Sequence, residues 1–315
     1  MLGSWAEEEI ARRGTGYPFL ALDSLLGASD LVFANLEAPF GSGGERFEKS
    51  YTFLVNPALV DVLTAGHINM VSLANNHIMD FGSQPLQETR RLLRQAGIHF
   101  SGAGKNLAEA RQPAIIKVDS LEIAFLACSL TFPEEFWATD TTAGTCFPRH
   151  TFFFDDIRRL KKEHDFVVVS FHWGSELMTE PKEYQVQLAH QTIQAGADLI
   201  LGHHPHVVQG VEVYKNKLIA YSLGNFVFGS FSENAKESML LEVRFKKSSI
   251  ESAKIIPINV YNKEVVFQPT LLKGEQKLEF LNKLNKLSLE LNDHSNVIGK
   301  DGFINIKPEP VNLKP

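Results

Sequence analysis

The sequence predicts an α/β fold of layered sheets and helices, and three observations carry that prediction. From Asn56 onward, helical segments alternate with short apolar strands, as they do when helices cover a sheet. The run Phe166 to Phe171 is β-branched and apolar, a strand signature. Side chains able to bind a metal recur just past predicted strands: Asn35 and Glu37, Asn76 and His77, His172, then His204 and His206. In layered α/β proteins one set of strand ends forms the site, so residues far apart in sequence converge there.

In order, Met1 to Gly14 reads as a loop entering a helix, with acidic Glu7 to Glu9 where negative charge suits the helix dipole. Ala21 to Gly27 is a short helix, and Asp30 to Leu36 is a strand that delivers Asn35 and Glu37. Gly41 to Gly44 is a flexible loop. Pro57 to Ala65 is a helix with proline in its first turn, followed by a strand from His67 to Ala74 and the cluster Asn75-Asn76-His77. Gln84 to Ala96 is a helix closed by Gly97, and Ile98 to Phe100 starts a strand. Ala114 to Val118 and Leu121 to Cys128 pair through Asp119-Ser120. Leu130 to His150 has no period and is expected as an irregular excursion over the site.

Phe154 to Glu163 and Tyr184 to Gly196 are helices on either side of the Phe166 strand. The latter feeds the stretch Ala197 to Phe228, where the apolar run Leu199 to Leu201 ends in a glycine and three histidines within four positions. Met239 to Phe245 and Ile255 to Val260 are strands. Lys277 to Leu291 is an amphipathic helix with Leu278, Leu281, Leu284, Leu287 and Leu291 on one side. The tail from Asn292 is expected to be loosely held. The division expected is one main domain over residues 1–245, with the strands and helix of residues 246–315 packing on it.

With 315 residues the chain can bury a sizeable core, and 44% hydrophobic with 22% charged residues is a globular composition. A net charge of -6 gives no reason to expect nucleic acid or an anionic membrane as partner. Two cysteines, Cys128 and Cys146, make neither a disulfide framework nor a cysteine-rich metal site. No stretch approaches a membrane span. Ser101 to Asn106 imitates a phosphate loop but lacks its first glycine and has Asn in place of the hydroxyl that holds magnesium, so it reads as a turn into a helix. No Gly-x-Ser-x-Gly occurs.

Imidazole nitrogens with carboxylate or amide oxygens suit zinc, manganese or iron rather than calcium. His204 and His206 share spacing and a strand end, whereas alternation turns His203 away from its neighbour. Asp80 either caps the following helix or orients His77 through a ring nitrogen.

Taken in order, Asn35-Leu36-Glu37, Asn75-Asn76-His77 with Asp80, His172-Trp173-Gly174 with Glu176, His204-Pro205-His206 and Ser222-Leu223-Gly224-Asn225-Phe226 resemble the CapA family of poly-γ-glutamate capsule synthesis proteins. That family is similar in turn to the calcineurin-like metallophosphoesterases. The resemblance implies a sandwich of two mixed β-sheets flanked by helices and a divalent metal, Mn, Zn or Fe. It implies Glu37, Asn76, His172, His204 and His206 as metal ligands, and His77 with Asp80 as the catalytic pair. Asn35, Asn75, Trp173, Glu176, His203 and Asn225 are expected on the substrate side.

The implied chemistry is hydrolysis or transfer at a phosphoester or amide of an anionic polymer or phosphoester. The alternatives are a non-catalytic protein that binds polymer or membrane-bound synthase subunits, and a phosphoesterase of small metabolites. The resemblance also implies an apolar strand ending in Gly-Asp ahead of Met1-Leu2-Gly3. The expectation is a start upstream or a fragment, with a membrane anchor and an extracytoplasmic location belonging to that missing part.

Overall fold

The computed structural model describes residues 2–3, 5–149, 151–247 and 249–306. The chain opens with helices α1 (Trp5–Arg13) and α2 (Asp23–Leu26), then strand β1 (Phe33–Asn35). Helix α3 (Val60–Ala65), strand β2 (Met70–Ser72), helix α4 (Ser83–Gln95) and strand β3 (His99–Ser101) follow. These strands form a parallel sheet in the order β1-β2-β3. Strands β1 and β2 are shorter than the runs 30–36 and 67–74 that predict them. Gly102, at φ +99°, and Asn106, whose side chain accepts from the Glu109 N–H at 3.0 Å, make the tight turn expected between residues 101 and 106. That turn holds β4 (Ala103–Gly104) and leads into α5 (Leu107–Ala110).

The second sheet begins with the hairpin β5 (Ala114–Val118) and β6 (Leu121–Ser129). The segment after it carries one short antiparallel strand, β7 (Gly144–Thr145), paired with β4. Helix α6 (Phe153–Glu163) buries Phe153, Ile157 and Leu160, one stripe at helical spacing. Next come β8 (Phe166–His172), α7 (Glu183–Ala195), β9 (Leu199–His203), β10 (Val211–Tyr214) and β11 (Lys217–Ala220). The six strands run in the order β10-β11-β9-β8-β6-β5, with β6, β8, β9 and β11 parallel. The β10–β11 hairpin has no counterpart in the sequence reading. Its turn is Lys215-Asn216, both at positive φ (49° and 59°), without the glycine that usually marks such turns.

Strict alternation assigns the faces of this sheet. Phe125, Val168 and Leu201 point inward, whereas Ala124, Val169 and Ile200 point out under α6 and α7. All seven residues of β8 are buried, which marks it as central, and full burial of each large apolar side chain there stabilises by about 1.5–3 kcal/mol.

Strands β12 (Glu237–Lys246) and β13 (Ser249–Asn259) form a long hairpin. Helix α8 (Asn262–Val265), strand β14 (Thr270–Leu271) and helix α9 (Gly274–Ser288) complete the elements. Strands β12, β13 and β14 form an antiparallel sheet that packs, with β1–β3, against the inner face of the six-stranded sheet. The fold is thus the predicted α/β sandwich of two β-layers flanked by helices, with one layer divided into a parallel and an antiparallel part.

Among the described residues, strand β1 is paired in its sheet with β2 alone and β12 with β13 alone, apart from the Met239 N–H of β12, which donates to Leu223 O at 3.2 Å. Each therefore presents an open edge, and the two edges border a cavity of ≈ 840 Å³ lined by Leu31, Phe33, Phe125, Leu201, Leu241 and Val243.

Two expectations for the C-terminal region are corrected. Helix α9 buries Phe280, Leu281 and Leu284, while Leu278 is exposed, so Phe280 takes the place given to Leu278. Residues 292–306 are docked rather than loose. Val297, Ile298 and Ile304 are buried between the layers, and the Ile304 N–H donates to Ala253 O at 2.8 Å. The rest of the expected tail, residues 307–315, lies outside the described residues. Among the described residues no helix is long and apolar enough to cross a membrane.

Candidate metal centre

Because β1, β2, β8 and β9 are parallel within their sheets, the polar residues that follow them leave at the same end of each sheet. The structure brings five of these side chains together. Glu37, just past β1, is buried. Its Oε2 accepts from Asn35 Nδ2 at 3.2 Å, while its Oε1 has no hydrogen-bond partner. That bare oxygen lies 3.5 Å from His172 Nε2 and 3.9 Å from His206 Nε2. His172 Nε2 also meets Asn76 Oδ1 at 2.9 Å. Glu37, His172 and His204 each offer a donor atom, and these atoms all lie within 4.8 Å of one another.

The loop after β9 aims two of these side chains. At Gly202 a Cβ would stand 1.9 Å from Tyr221 O, so only glycine lets β9 approach the neighbouring strand. His204 (φ 99°) and His206 (φ 61°) then adopt positive φ on either side of Pro205. For residues other than glycine that costs about 1–3 kcal/mol each and is found where surrounding structure holds a functional geometry. His206 Nδ1 is bound to Asn225 Oδ1 at 2.9 Å, and its ring rests on Phe228 at 4.5 Å. This leaves Nε2 facing Glu37.

Burial pushes the imidazoles toward their neutral form. His172 is held well below its usual range, by desolvation first and then by the charge His204 and its neighbours would carry. Desolvation also lowers His204 to about 3 and His203 to about 4. A neutral imidazole is the metal-binding state.

The residues fit a divalent ion. Glu37 Oε1, which faces the Nε2 atoms of His172 and His206, is a buried polar atom without a hydrogen-bond partner, where nearly all such atoms in folded proteins have one. The donors are imidazole nitrogens, a carboxylate and an amide oxygen, the set preferred by borderline ions.

His77 stands beside this cluster. Its Nδ1 bonds Asp80 Oδ2 at 2.8 Å, which gives Asp80 the orienting role, and its ring packs on Phe53 at 4.7 Å. Asp80 is fully buried and also accepts from the Phe53 N–H at 2.7 Å. Lys49 completes the group, contacting Asp80, the Asn76 carbonyl and, at 3.2 Å, His77 Nδ1. Burial lowers the Lys49 pKa against the opposing pull of Asp80. The sequence reading missed Lys49, which lies in a loop with no periodicity to mark it.

The residues expected on the substrate side divide. Asn35 braces Glu37. Asn75 is fully buried, donating to Leu36 O at 2.9 Å and accepting from the His77 and Ile78 N–H groups, so it fixes the turn and cannot face a substrate. Trp173 is likewise corrected: it is fully buried in the outer core, stacked on Phe171, with its indole N–H donating to Tyr221 O at 2.9 Å. Strand alternation sends it to the face opposite His172.

Glu176 is exposed on the loop after β8 with no bond to the cluster among the described residues. His203 turns inward toward Phe33, at 5.7 Å, and lines the cavity rather than the cluster. Asn225 acts through His206. The sequence offered no task for residues 222–226, but Ser222 Oγ ties this segment to Val207 O at 2.7 Å and so sets Asn225 against His206.

Known proteins share sequence with most of this chain. A family model described as bacterial capsule synthesis protein PGA_cap matches residues 1–230. The PGA biosynthesis protein CapA of Bacillus subtilis (strain 168) is 33% identical over 264 residues, covering 83% of this chain and 70% of that protein. The capsule biosynthesis protein CapA of Bacillus anthracis is 28% identical over 319 aligned positions, 95% of this chain and 77% of that one. A probable polyglutamine synthesis accessory protein of Mycobacterium tuberculosis is 33% identical over 229 residues, 69% of this chain and 60% of its own. The family match spans all five clustered side chains, and the chain belongs to the bacterial capsule synthesis protein family PGA_cap.

Proposed function

We propose that this protein acts in capsular poly-γ-glutamate synthesis through a divalent metal centre of the metallophosphoesterase type, catalysing hydrolysis or transfer at a phosphoester or amide bond. The observation that carries this reading is the convergence of Glu37, Asn76, His172, His204 and His206 around the buried, unpartnered Glu37 Oε1. A bound Mn, Zn or Fe ion supplies Lewis-acid polarisation of a phosphoryl or carbonyl oxygen and a more acidic water.

The chain's own residues do the rest. Asp80 fixes the His77 ring through Nδ1, leaving Nε2 as the nitrogen free to meet substrate. Lys49 holds Asp80 in place and adds positive charge beside a site that takes an anionic substrate. Glu37 and the three histidines are held rigid by strand ends and by Asn35 and Asn225.

The test is metal analysis of the purified chain, with turnover measured on phosphoester and γ-glutamyl substrates. One divalent ion per chain, lost in His172→Ala and His204→Ala, with turnover abolished by His77→Ala, supports the reading. A chain that binds no ion in excess Mn, Zn or Fe refutes it.

The cavity favours one addition. An extended apolar segment ending in a carboxylate, pairing between the open edges of β1 and β12, would bring an oxygen donor to the end lined by Glu37, His204 and His206. A peptide of that pattern should tighten metal binding, and its Asp→Asn version should not. Synthase subunits are the natural macromolecular partners, through the same polymer-handling role.

A further inference from the structure

The two cysteines, which form no pattern in the sequence, meet in the structure. Cys128 lies near the end of β6 and Cys146 follows β7, and their Sγ atoms are 3.3 Å apart. Both are buried, with 1% and 2% of their surface exposed. The backbones beside them are joined, since the Ser129 N–H donates to Cys146 O at 2.8 Å and the Cys146 N–H to Gly102 O at 2.8 Å. Chains bonded in this way run at inter-strand spacing, roughly 5 Å, within the range that a disulfide bridges. Closing the sulfurs to the bond length of about 2.05 Å needs side-chain rotation rather than movement of a strand.

We propose that Cys128 and Cys146 form a disulfide that fastens the segment between them against the metal centre. The chemistry is thiol–disulfide exchange with an external disulfide. One cysteine thiolate attacks it, giving a mixed disulfide and releasing one thiol. The second cysteine thiolate attacks the protein sulfur of that mixed disulfide and releases the other thiol. The two protein thiols are oxidised by two electrons, the external disulfide is reduced to two thiols, and each departing thiolate takes up one of the protons lost.

A metal role for the pair is disfavoured by composition. The His, Cys, Asp and Glu group placed to hold an ion among the described residues is Glu37, His172 and His204, and two thiols alone do not complete a tetrahedral site. Burial raises the Cys128 thiol, so exchange takes place while the segment is open or still folding, and the closed bond is then shielded from reductant.

The segment has work to do at the site. Near its start, the Leu130 N–H donates to the carbonyl of the ligand His172 at 2.9 Å. Farther along, the Phe136 ring packs edge-on against Phe47 at 4.9 Å and lies 5.2 Å from Lys49 Nζ, which in turn holds Asp80 and His77. A bond at residue 146 prevents this wall from peeling away from both.

The experiment refolds the full chain from urea in glutathione redox buffer, then alkylates it under denaturing conditions. The expected result is no alkylated thiol, an intact mass lower by about 2 Da, and a proteolytic fragment joining the Cys128 and Cys146 peptides. The oxidised protein should melt about 4 °C higher than the same sample treated with reductant, and Cys146→Ser should show no oxidant-dependent shift. Two alkylatable thiols after refolding, glutathione adducts or inter-chain dimers in place of the internal bridge, or an oxidised form melting at or below the reduced one, would each overturn the proposal.

Discussion

Replacing Glu37 by Gln separates a metal ligand from a structural carboxylate, because the two roles move opposite observables. The side chain is buried, one oxygen is held by Asn35, and the other has no partner but the imidazole nitrogens 3.5 and 3.9 Å away. In the metal-free protein that bare acceptor is a liability of about 1–3 kcal/mol, and the isosteric amide removes the buried charge while its NH₂ can donate. For a chain of 315 residues, an unfolding entropy of about 2.1 cal/mol/K per residue converts this gain to a Tm rise of about 2–5 °C. With metal the sign reverses. Loss of an outer-sphere partner alone typically costs 10–100-fold in affinity, so loss of the only carboxylate donor in the cluster should cost at least about 100-fold, or about 2.7 kcal/mol. Competition titration against a chelating dye, with scanning fluorimetry of the metal-free protein, reads both effects. Unchanged metal affinity, or a metal-free variant that melts lower than the parent, would refute the assignment of Glu37 as a ligand.

Asn225→Ala frees His206 to rotate by removing its Nδ1 partner and should weaken metal binding about 10–100-fold, measured by the same titration. Lys49→Met leaves Asp80 fully buried without its cation and should cost about 3 kcal/mol, read as a lower urea midpoint. Trp173→Ala should cost about 3–5 kcal/mol in the same assay with no specific loss of substrate affinity, since the ring lies in the outer core. Acid provides a fourth check on the metal-free protein. The folded pKa values of His172, His203 and His204 lie below their unfolded value near 6.5. Their contribution is therefore present above pH 6.5 and lost as pH falls toward 4, at up to about 1.4 kcal/mol per pH unit for each group. A midpoint that holds steady between pH 6.5 and 4.5 would contradict this burial.

The sequence by itself determined the layered fold and the chemistry at its strand ends, because both rest on short-range rules. The β-branched run Phe166 to Phe171 marked a buried strand, and parallel strands sent Glu37, Asn76, His172, His204 and His206 to one end. Period-two alternation set His203 apart from His204. What only the tertiary structure decided was how side chains point once the strands have ended. Positive φ at His204 and His206 aims that loop, and no periodicity encodes it. Asn75 and Trp173 sit among site residues in sequence yet turn into the core, because the buried N–H groups of residues 77 and 78 and the carbonyl of Tyr221 require partners there. The contacts of Lys49 with Asp80 and of Cys128 with Cys146 join segments far apart in the sequence. Such pairings arise from packing of the whole chain, and no local pattern in the sequence records them.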